Sequence, residues 1–186
     1  MPITTVASAT PGNLEAELGW SGLAVDPLTE FERGYREHRP RTKFRAFFVA
    51  DSSDASTMVY VGPNDLVTSA TKDFTSRWGE GVKEVVAPTV TLNDLLKREG
   101  VERIDFLNMD IELAEPKALA GFDSRRFRPA LVCIEAHIEV RQQILDYFQQ
   151  NGYVMLGKYL RADPRNLYFV PASSLPAEAP PHVGEH

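Results

Sequence analysis

Acidic residues follow four short apolar segments of this 186-residue sequence, at the points where predicted β-strands end. They are Asp26, Asp51, Asp110 with Glu112, and Glu135, and His137 lies two residues after the last of them. One acid at a strand end is common, whereas acids at four successive ends indicate a shared rim. In open parallel sheets, ligands bind beyond the carboxyl ends of the strands. The pattern therefore predicts a site for a polar ligand along that rim.

Asp26 follows the apolar run 21–25 and is itself followed by Pro27. An acid after the second strand of a nucleotide-binding half accepts hydrogen bonds from ribose hydroxyls. The alternative is a helix N-terminal acid that interacts with the dipole of a helix predicted after Thr29, where Thr29 and Glu32 have capping-box spacing. Spacing alone favours neither role.

Asp51 and Ser52 close the strand predicted over residues 43–50. The Asp51 carboxylate could accept a hydrogen bond from an exocyclic amine such as that of adenine. Without further information, an Asx-turn that ends the strand is the favoured interpretation.

Asp110, Glu112 and Glu115 crowd the end of the strand predicted over residues 103–110. Neighbouring acids repel one another unless they contact solvent, a cation or hydrogen-bond donors, which favours a site here. The alternative is that Glu115 complements the dipole of a helix beginning near Pro116, while Glu112 faces water.

Glu135 and His137 are two residues apart, so they share a face if the strand continues. Histidine can remove a proton from a hydroxyl near neutral pH, and a carboxylate can orient the imidazole. A structural hydrogen bond is the competing role for the histidine. A metal held by Asp110, Glu112 and His137 is chemically reasonable, but with four histidines in the chain we expect no metal.

The elements that must position these side chains alternate between apolar strands and amphipathic helices. The run 130–134 is continuously apolar, as is typical of a parallel strand covered on both faces. Residues 62–82 are glycine-rich and polar and predict a long loop or partial lid, and the last two strands are expected to pair antiparallel at the sheet edge. The alternation predicts an α/β fold with a doubly wound sheet.

Composition excludes several classes of protein. A formal charge of −6 argues against nucleic acid and against an anionic membrane surface as partners. The single cysteine, Cys133, rules out an internal disulfide. No signal peptide or membrane span is evident, so we expect a cytoplasmic protein. A homo-oligomer is compatible with the sequence.

Seven segments of the chain carry a family resemblance in a fixed order. They are GWSGLAVDP at 19–27, FFVADS at 47–52, TVTLNDLL at 89–96, IDFLNMDIELAE at 104–115, EAH at 135–137, NGY at 151–153 and NLYF at 166–169. Together they resemble the FkbM family of S-adenosylmethionine-dependent methyltransferases, from about Leu14 to Pro171. Leu113 stands where that family carries a glycine.

The resemblance implies a Rossmann-like class I methyltransferase that uses S-adenosylmethionine to methylate a hydroxyl of a sugar, glycan or small natural product. Asp26 with Pro27 would bind the cofactor ribose, and Asp51 with Ser52 would border the adenine. Asp110 would lie nearest the methyl group, and Glu112 would belong to the same catalytic set. His137, oriented by Glu135, would be the base.

The resemblance also predicts an incomplete N-terminus. Family members carry a first strand and a glycine loop ahead of the first helix, and here only residues 1–10 precede it. We therefore expect the first strand to be missing or atypical in a domain spanning 1–172, with Met1 as an internal start, followed by a disordered tail at 173–186. The alternatives are a catalytically inactive, truncated methyltransferase-like binding or scaffold protein, and another nucleotide-binding enzyme, such as one acting on nucleotide sugars.

Overall fold

The computed structural model describes residues 4–7, 12–63 and 67–175, with side chains from residue 14 onward. Within these ranges the strands are β1 Thr4–Ala7, β2 Ser21–Asp26, β3 Thr42–Ala46, β4 Phe48–Val49, β5 Ser56–Val61, β6 Thr68–Ser69, β7 Lys83–Val90, β8 Phe106–Met109, β9 Leu131–Glu135, β10 Tyr153–Met155 and β11 Asn166–Pro171. The helices are α1 Gly12–Leu18, α2 Phe31–His38, α3 Lys72–Ser76, α4 Leu92–Arg98, α5 Glu115–Ala120, α6 Ser124–Phe127 and α7 Arg141–Gln150. This mixed α/β architecture agrees with the α/β class predicted from the sequence.

The main sheet has seven strands in the order β10-β11-β9-β8-β1-β2-β3. Strands β3, β2, β1, β8 and β9 are parallel, whereas β11 is antiparallel to both β9 and β10, as predicted for the sheet edge. The chain runs outward from β1 to β3 and then returns to build the other half from β8. Such a reversal of strand order creates a crevice at the carboxyl ends of the strands.

Strand β1 corrects the expectation that the first strand is missing. Residues Thr4–Ala7 pair in parallel with β2 on one side and with β8 on the other, so they occupy the centre of the sheet. The sequence concealed this strand because it is short and carries two threonines instead of a continuous apolar run. Threonine is β-branched and suits a strand. Residues 8–11, between β1 and α1, lie outside the described residues.

The strand register aligns three of the predicted site residues. Ala7 of β1 pairs with Ala24 of β2 and with Asn108 of β8, so these three residues are at one level of the sheet. Asp26 and Asp110 each follow two residues beyond that level. Asn108 in turn pairs with Cys133 of β9, which brings Glu135 to the level of Asp26 and Asp110 as well. Strands are spaced by about 4.8 Å, so Asp26 and Asp110 are separated by about 10 Å across β1.

A second sheet has four strands in the order β4-β7-β5-β6. The strand predicted over 43–50 divides at Phe47 into β3, which belongs to the main sheet, and β4, which pairs with β7. The predicted loop at 62–82 contains β6 and α3. Phe74 and Thr75 of α3 are buried against this second sheet, with Thr75 Oγ1 donating to the Tyr60 carbonyl at 3.2 Å.

One hydrophobic core joins the main sheet to the helices α4, α5 and α7. Its members are buried aliphatic and aromatic side chains, including Leu23, Leu96, Leu107, Ile134, Ile144 and Phe148. Helix α4 begins as predicted, because Thr91 Oγ1 accepts a hydrogen bond from the Asp94 amide at 3.1 Å. This core fixes the strand ends that carry the acidic residues.

Two local expectations are wrong. The capping box at Thr29 and Glu32 does not form: α2 begins after Glu30 without a side-chain cap, and the Glu32 amide bonds to the Thr29 carbonyl instead. Part of the predicted disordered tail is ordered, because Ala172–Ser174 forms a 3₁₀ turn in which Ser174 Oγ donates to the Pro171 carbonyl at 2.7 Å. The remainder, 176–186, lies outside the described residues. Across the described part of the chain, no helix has the length and apolar character needed to cross a membrane.

Candidate active site

Asp110 and Glu135 are neighbours at the carboxyl ends of β8 and β9, and their carboxyl groups share a hydrogen bond. Although Asp110 borders solvent, burial by the surrounding chain raises its pKa to about 6, and the Glu135 charge and hydrogen bond act in the same direction. The protonated form of Asp110 can donate a hydrogen bond to the Glu135 carboxylate, so the two neighbouring groups need not both carry a charge.

His137 lies against two carboxylates. Its Nε2 atom is 3.3 Å from Glu112 Oε2, within hydrogen-bond geometry, and 2.9 Å from Glu135 Oε2. The contact to Glu135 does not meet hydrogen-bond geometry, so Glu135 Oε2 is buried without a hydrogen-bond partner. The sequence predicted the pairing of His137 with Glu135, whereas the contribution of Glu112 requires the turn after Asp110.

Glu115 holds that turn from inside the protein. Its side chain is fully buried at the start of α5, and its Oε1 accepts a hydrogen bond from the Ile111 amide at 3.0 Å. Burial raises the pKa of Glu115 to about 7, and Glu135 and Asp110 add to the effect. Glu115 is therefore a buried residue that fixes the turn after Asp110. It is not a surface acid that interacts with the dipole of α5, which was the alternative considered above.

Glu112 is the third acid of the site with a raised pKa. Burial is the main cause and the charge of Asp110 adds to it, while His137 and Arg165 act in the opposite direction. The site thus concentrates carboxyl groups around one imidazole in a partly desolvated environment. Such perturbed clusters are typical of functional sites.

The segment that includes α3 forms one wall of the site. Ser69 Oγ donates to the Glu112 carbonyl at 2.7 Å, and Arg77 pairs with Glu139 at 3.4 Å. The Phe74 and His137 rings meet edge to face, with their centroids 5.1 Å apart. The predicted loop or partial lid at 62–82 thus contacts the predicted base directly. Sequence reasoning missed Phe74 and Arg77 because long-range packing carries no local signature.

An open pocket of about 340 Å³ lies over these groups. It is lined by Trp78, Asp110, Glu112, Glu135, Ala136, His137 and Arg165. All four residues predicted to be catalytic are among them. Trp78 and Arg165 were not predicted, since neither follows a strand end or belongs to a recognised motif.

Glu112, Glu135 and His137 could also hold a metal ion. Each offers one ligand atom, and these three atoms lie within 4.8 Å of one another. This set differs from the one considered from the sequence, because Glu135 replaces Asp110. Two carboxylates and one imidazole suit several divalent metals.

Asp26 ends β2 as predicted and is partly buried. Its Oδ1 accepts a hydrogen bond from the Leu28 amide at 2.8 Å across Pro27, which fixes the carboxyl group. Burial raises the pKa of Asp26 to about 6, the Leu28 hydrogen bond opposes the shift, and Glu30 contributes to it. The carboxyl group stands at the level of Asp110, on the far side of β1.

Asp51 and Ser52 are exposed in a turn after β4. Ser52 Oγ donates to Asp51 Oδ1 at 3.5 Å. The next residue, Ser53, is the one tied to the fold, since its Oγ donates to Asp94 Oδ2 at 2.5 Å and accepts from the Thr91 amide at 3.0 Å. The role of Asp51 and Ser52 at an adenine stays a prediction.

Residues 6–155 match the methyltransferase FkbM domain in a comparison with protein families. The chain belongs to the FkbM methyltransferase family. The matched range begins inside β1 and ends with β10, so it includes every residue of the site except Arg165. Comparisons with curated proteins and with solved structures find no match.

Leu113 stands at a position where the resemblance to the family leads us to expect a glycine. Its φ is +73°, a left-handed conformation that favours glycine, and the preceding Glu112 has a φ of +54°. The glycine expected from the resemblance would therefore adopt this left-handed conformation without strain. In this chain a leucine adopts the left-handed conformation, and its side chain packs against the main core.

Proposed function

We propose that this FkbM domain is an S-adenosylmethionine-dependent O-methyltransferase that acts on a hydroxyl of a sugar, glycan or small natural product. The observation that carries the proposal is the cluster of His137, Glu112, Glu135 and Asp110 at the ends of β8 and β9, inside one pocket. Membership of the FkbM family supports methyl transfer as the reaction.

The main sheet supports a binding site for the cofactor. We propose that it is the doubly wound, Rossmann-like sheet of a class I methyltransferase, with the ligand at the reversal of strand order beside β1. Asp26 would accept the ribose hydroxyls and Asp110 would stand nearer the reacting end, at the same level about 10 Å away. Pro27, Asp51 and Ser52 would complete the contacts. When bound, S-adenosylmethionine supplies an electrophilic methyl group.

His137 would remove the proton from the acceptor hydroxyl. When Nε2 donates to the Glu112 carboxylate, that nitrogen carries the proton, and Nδ1 retains the lone pair that can act as a base. The nearby carboxylates of Glu112 and Glu135 would then stabilise the imidazolium that forms. The remaining task of the pocket is to hold the hydroxyl in line with the methyl group.

Transfer of a labelled methyl group tests this proposal. The full chain is incubated with methyl-labelled S-adenosylmethionine and mixtures of methyl glycosides, glycans and hydroxylated aromatic compounds, and labelled products are separated. We expect a labelled methyl ether from at least one mixture and none with His137→Ala. A chain that binds the cofactor but labels none of the mixtures would favour the inactive binding or scaffold protein instead.

Partners and location are proposed on the same basis. The acidic composition supports a small-molecule or saccharide substrate over nucleic acid or a membrane surface, and a cytoplasmic location is consistent with it. We also propose assembly into a homo-oligomer, which light scattering would measure.

A further inference from the structure

Trp78 exposes a large aromatic surface inside a pocket that is otherwise mostly charged. Its side chain is 52% exposed, although tryptophan is usually well buried. Of the residues that line the pocket, Trp78 and Ala136 are apolar, and the rest are acids, His137 and Arg165. The folded chain thus presents one aromatic surface opposite groups that can form hydrogen bonds.

The position of Trp78 is fixed by the segment around α3. The Trp78 amide donates to the Thr75 carbonyl at 3.1 Å, and Thr75 is fully buried. The following Gly79 has a φ of +135°, which only glycine adopts readily, and a Cβ there would stand 3.2 Å from Pro63. Through Phe74 and Arg77, the same segment contacts His137 and Glu139. These contacts fix the backbone at Trp78, and its side chain lines the same pocket as the proposed base.

Arg165 supplies hydrogen-bond donors at the same pocket. Its carbonyl accepts from the Ala136 amide at 2.9 Å, which anchors this loop to the end of β9. Arg165 and Glu112 both line the pocket, and the positive charge of Arg165 opposes the rise in the pKa of Glu112. Donors from Arg165 and acceptors on Glu112 and Glu135 match the mixed donor and acceptor character of a row of hydroxyls.

We infer that Trp78 is a specificity-determining platform on which a pyranose ring of the methyl acceptor stacks, with Arg165 and Glu112 bonding its hydroxyls. This inference rests on the proposed function. A pyranose has a C–H face that suits the negative face of an aromatic ring and an equatorial edge of hydroxyls, which is the combination that this pocket offers. A flat platform also keeps the reacting hydroxyl at a fixed height beside His137.

Fluorine NMR of protein labelled with 5-fluorotryptophan reports on the platform directly, because the chain has two tryptophans, Trp20 and Trp78. The protein is first saturated with S-adenosylhomocysteine and then titrated with a panel of methyl pyranosides and with sorbitol, an acyclic polyol. We expect the Trp78 resonance to move with at least one pyranoside, while Trp20 stays in place and sorbitol moves neither.

Three variants separate stacking from general effects on the fold. Trp78→Phe keeps an aromatic face and should retain affinity for that pyranoside within about threefold, whereas Trp78→Leu should weaken it about tenfold. Val86→Ala, at another exposed apolar position, should leave affinity unchanged. All three should bind S-adenosylhomocysteine like the parent protein.

Each contrary outcome has a distinct meaning. If S-adenosylhomocysteine does not bind the parent protein, the proposed function and the platform both fall. If it binds but no pyranoside moves the Trp78 resonance, the platform alone is overturned. Equal pyranoside affinity in Trp78→Leu, or a loss of S-adenosylhomocysteine affinity in that variant, would also overturn it, and the latter would assign Trp78 to the cofactor.

Discussion

His137 forms its hydrogen bond with Glu112, which reaches the imidazole from the turn after β8 at an Nε2–Oε2 distance of 3.3 Å. Glu135, on the same segment as His137, contacts the same nitrogen at 2.9 Å without hydrogen-bond geometry. The base proposed for catalysis is thus held between two strand ends. Its orientation depends on the left-handed turn that carries Glu112.

Removal of the imidazole should strongly reduce turnover and preserve cofactor binding. For His137→Ala we expect turnover to fall by about 10² to 10⁴, the range for loss of a general base, with affinity for S-adenosylhomocysteine unchanged. Steady-state kinetics and calorimetry measure the two quantities. His38→Ala, at an exposed position on α2, is the matched control and should match the parent. Unchanged turnover in His137→Ala would remove this residue as the base.

Asp26 should control cofactor affinity in a pH-dependent manner. Its pKa is about 6, so the carboxylate that accepts ribose hydroxyls predominates at pH 8 and is mostly protonated at pH 5. We expect affinity for S-adenosylhomocysteine to fall as the pH drops through 6. In Asp26→Asn, affinity at pH 8 should be about tenfold weaker or more, with the pH dependence reduced.

The same titration in Asp51→Asn provides the comparison for Asp26. Asp51 is exposed, so we expect a smaller loss of affinity and a pH dependence like that of the parent. A larger loss in Asp51→Asn than in Asp26→Asn would contradict the assignment of Asp26 as the principal ribose ligand.

At position 113, the glycine variant should be more stable than the alanine variant, which reverses their usual order of stability. At ordinary positions glycine is less stable than alanine by about 0.5–1 kcal/mol, but a left-handed conformation costs a non-glycine residue about 1–2 kcal/mol. With a φ of +73° at this position, we expect Leu113→Gly to exceed Leu113→Ala in free energy of unfolding by roughly 1 kcal/mol. Urea denaturation of both variants measures the difference. Greater stability of the alanine variant would show that the turn relaxes.

Glu115 should make the protein less stable as the pH rises. Burial raises its pKa from 4.5 to about 7, so between these values the folded state keeps a proton that the unfolded state has released. The free energy of unfolding therefore decreases with rising pH across this window, by about 3 kcal/mol for this group, and levels off above it.

Glu115→Gln tests this effect because it keeps an oxygen for the Ile111 amide and removes the ionisation. We expect it to be more stable than the parent at pH 8 and nearly equal at pH 4.5. Glu80→Gln, at an exposed position, should follow the parent at both values. A parent protein whose advantage grows with pH would contradict a buried, raised pKa at Glu115.

Metal removal distinguishes the two uses of the cluster at Glu112, Glu135 and His137. The proposed mechanism uses His137 as a base without a metal, so turnover should persist after dialysis against EDTA. Added Mn²⁺ should leave both turnover and thermal stability unchanged. Loss of turnover in EDTA that Mn²⁺ restores would instead assign the three residues as metal ligands.

The sequence predicted the residues of the site better than it predicted their environment. Acids at strand ends and the ordered family segments located Asp110, Glu112, Glu135 and His137, which the structure brings into one pocket. Parallel strands made this possible, because their carboxyl ends meet at one edge of the sheet. The buried role of Glu115 was not foreseen, since burial depends on packing between α5 and distant strands.

The parts that the sequence did not predict depend on contacts between distant segments. Strand β1 lacks a continuous apolar run, and it is recognisable only by its pairing with β2 and β8. Trp78 reaches the pocket through the packing of α3, and Arg165 through the loop before β11. Neither is marked by local periodicity or by a motif. The resemblance marked Leu113 as a position where the family carries a glycine, but the left-handed turn there is seen only in the structure.

Calorimetry with S-adenosylhomocysteine is the most direct test of whether this domain uses S-adenosylmethionine. The full 186-residue chain, verified as folded by circular dichroism, is titrated at pH 8, and Asp26→Asn is titrated in parallel. We expect saturable binding with one ligand per chain, and binding weaker by about tenfold or more in the variant. A folded parent chain that releases no heat and shows no thermal stabilisation by the ligand would contradict the claim that this domain is a methyltransferase that uses S-adenosylmethionine.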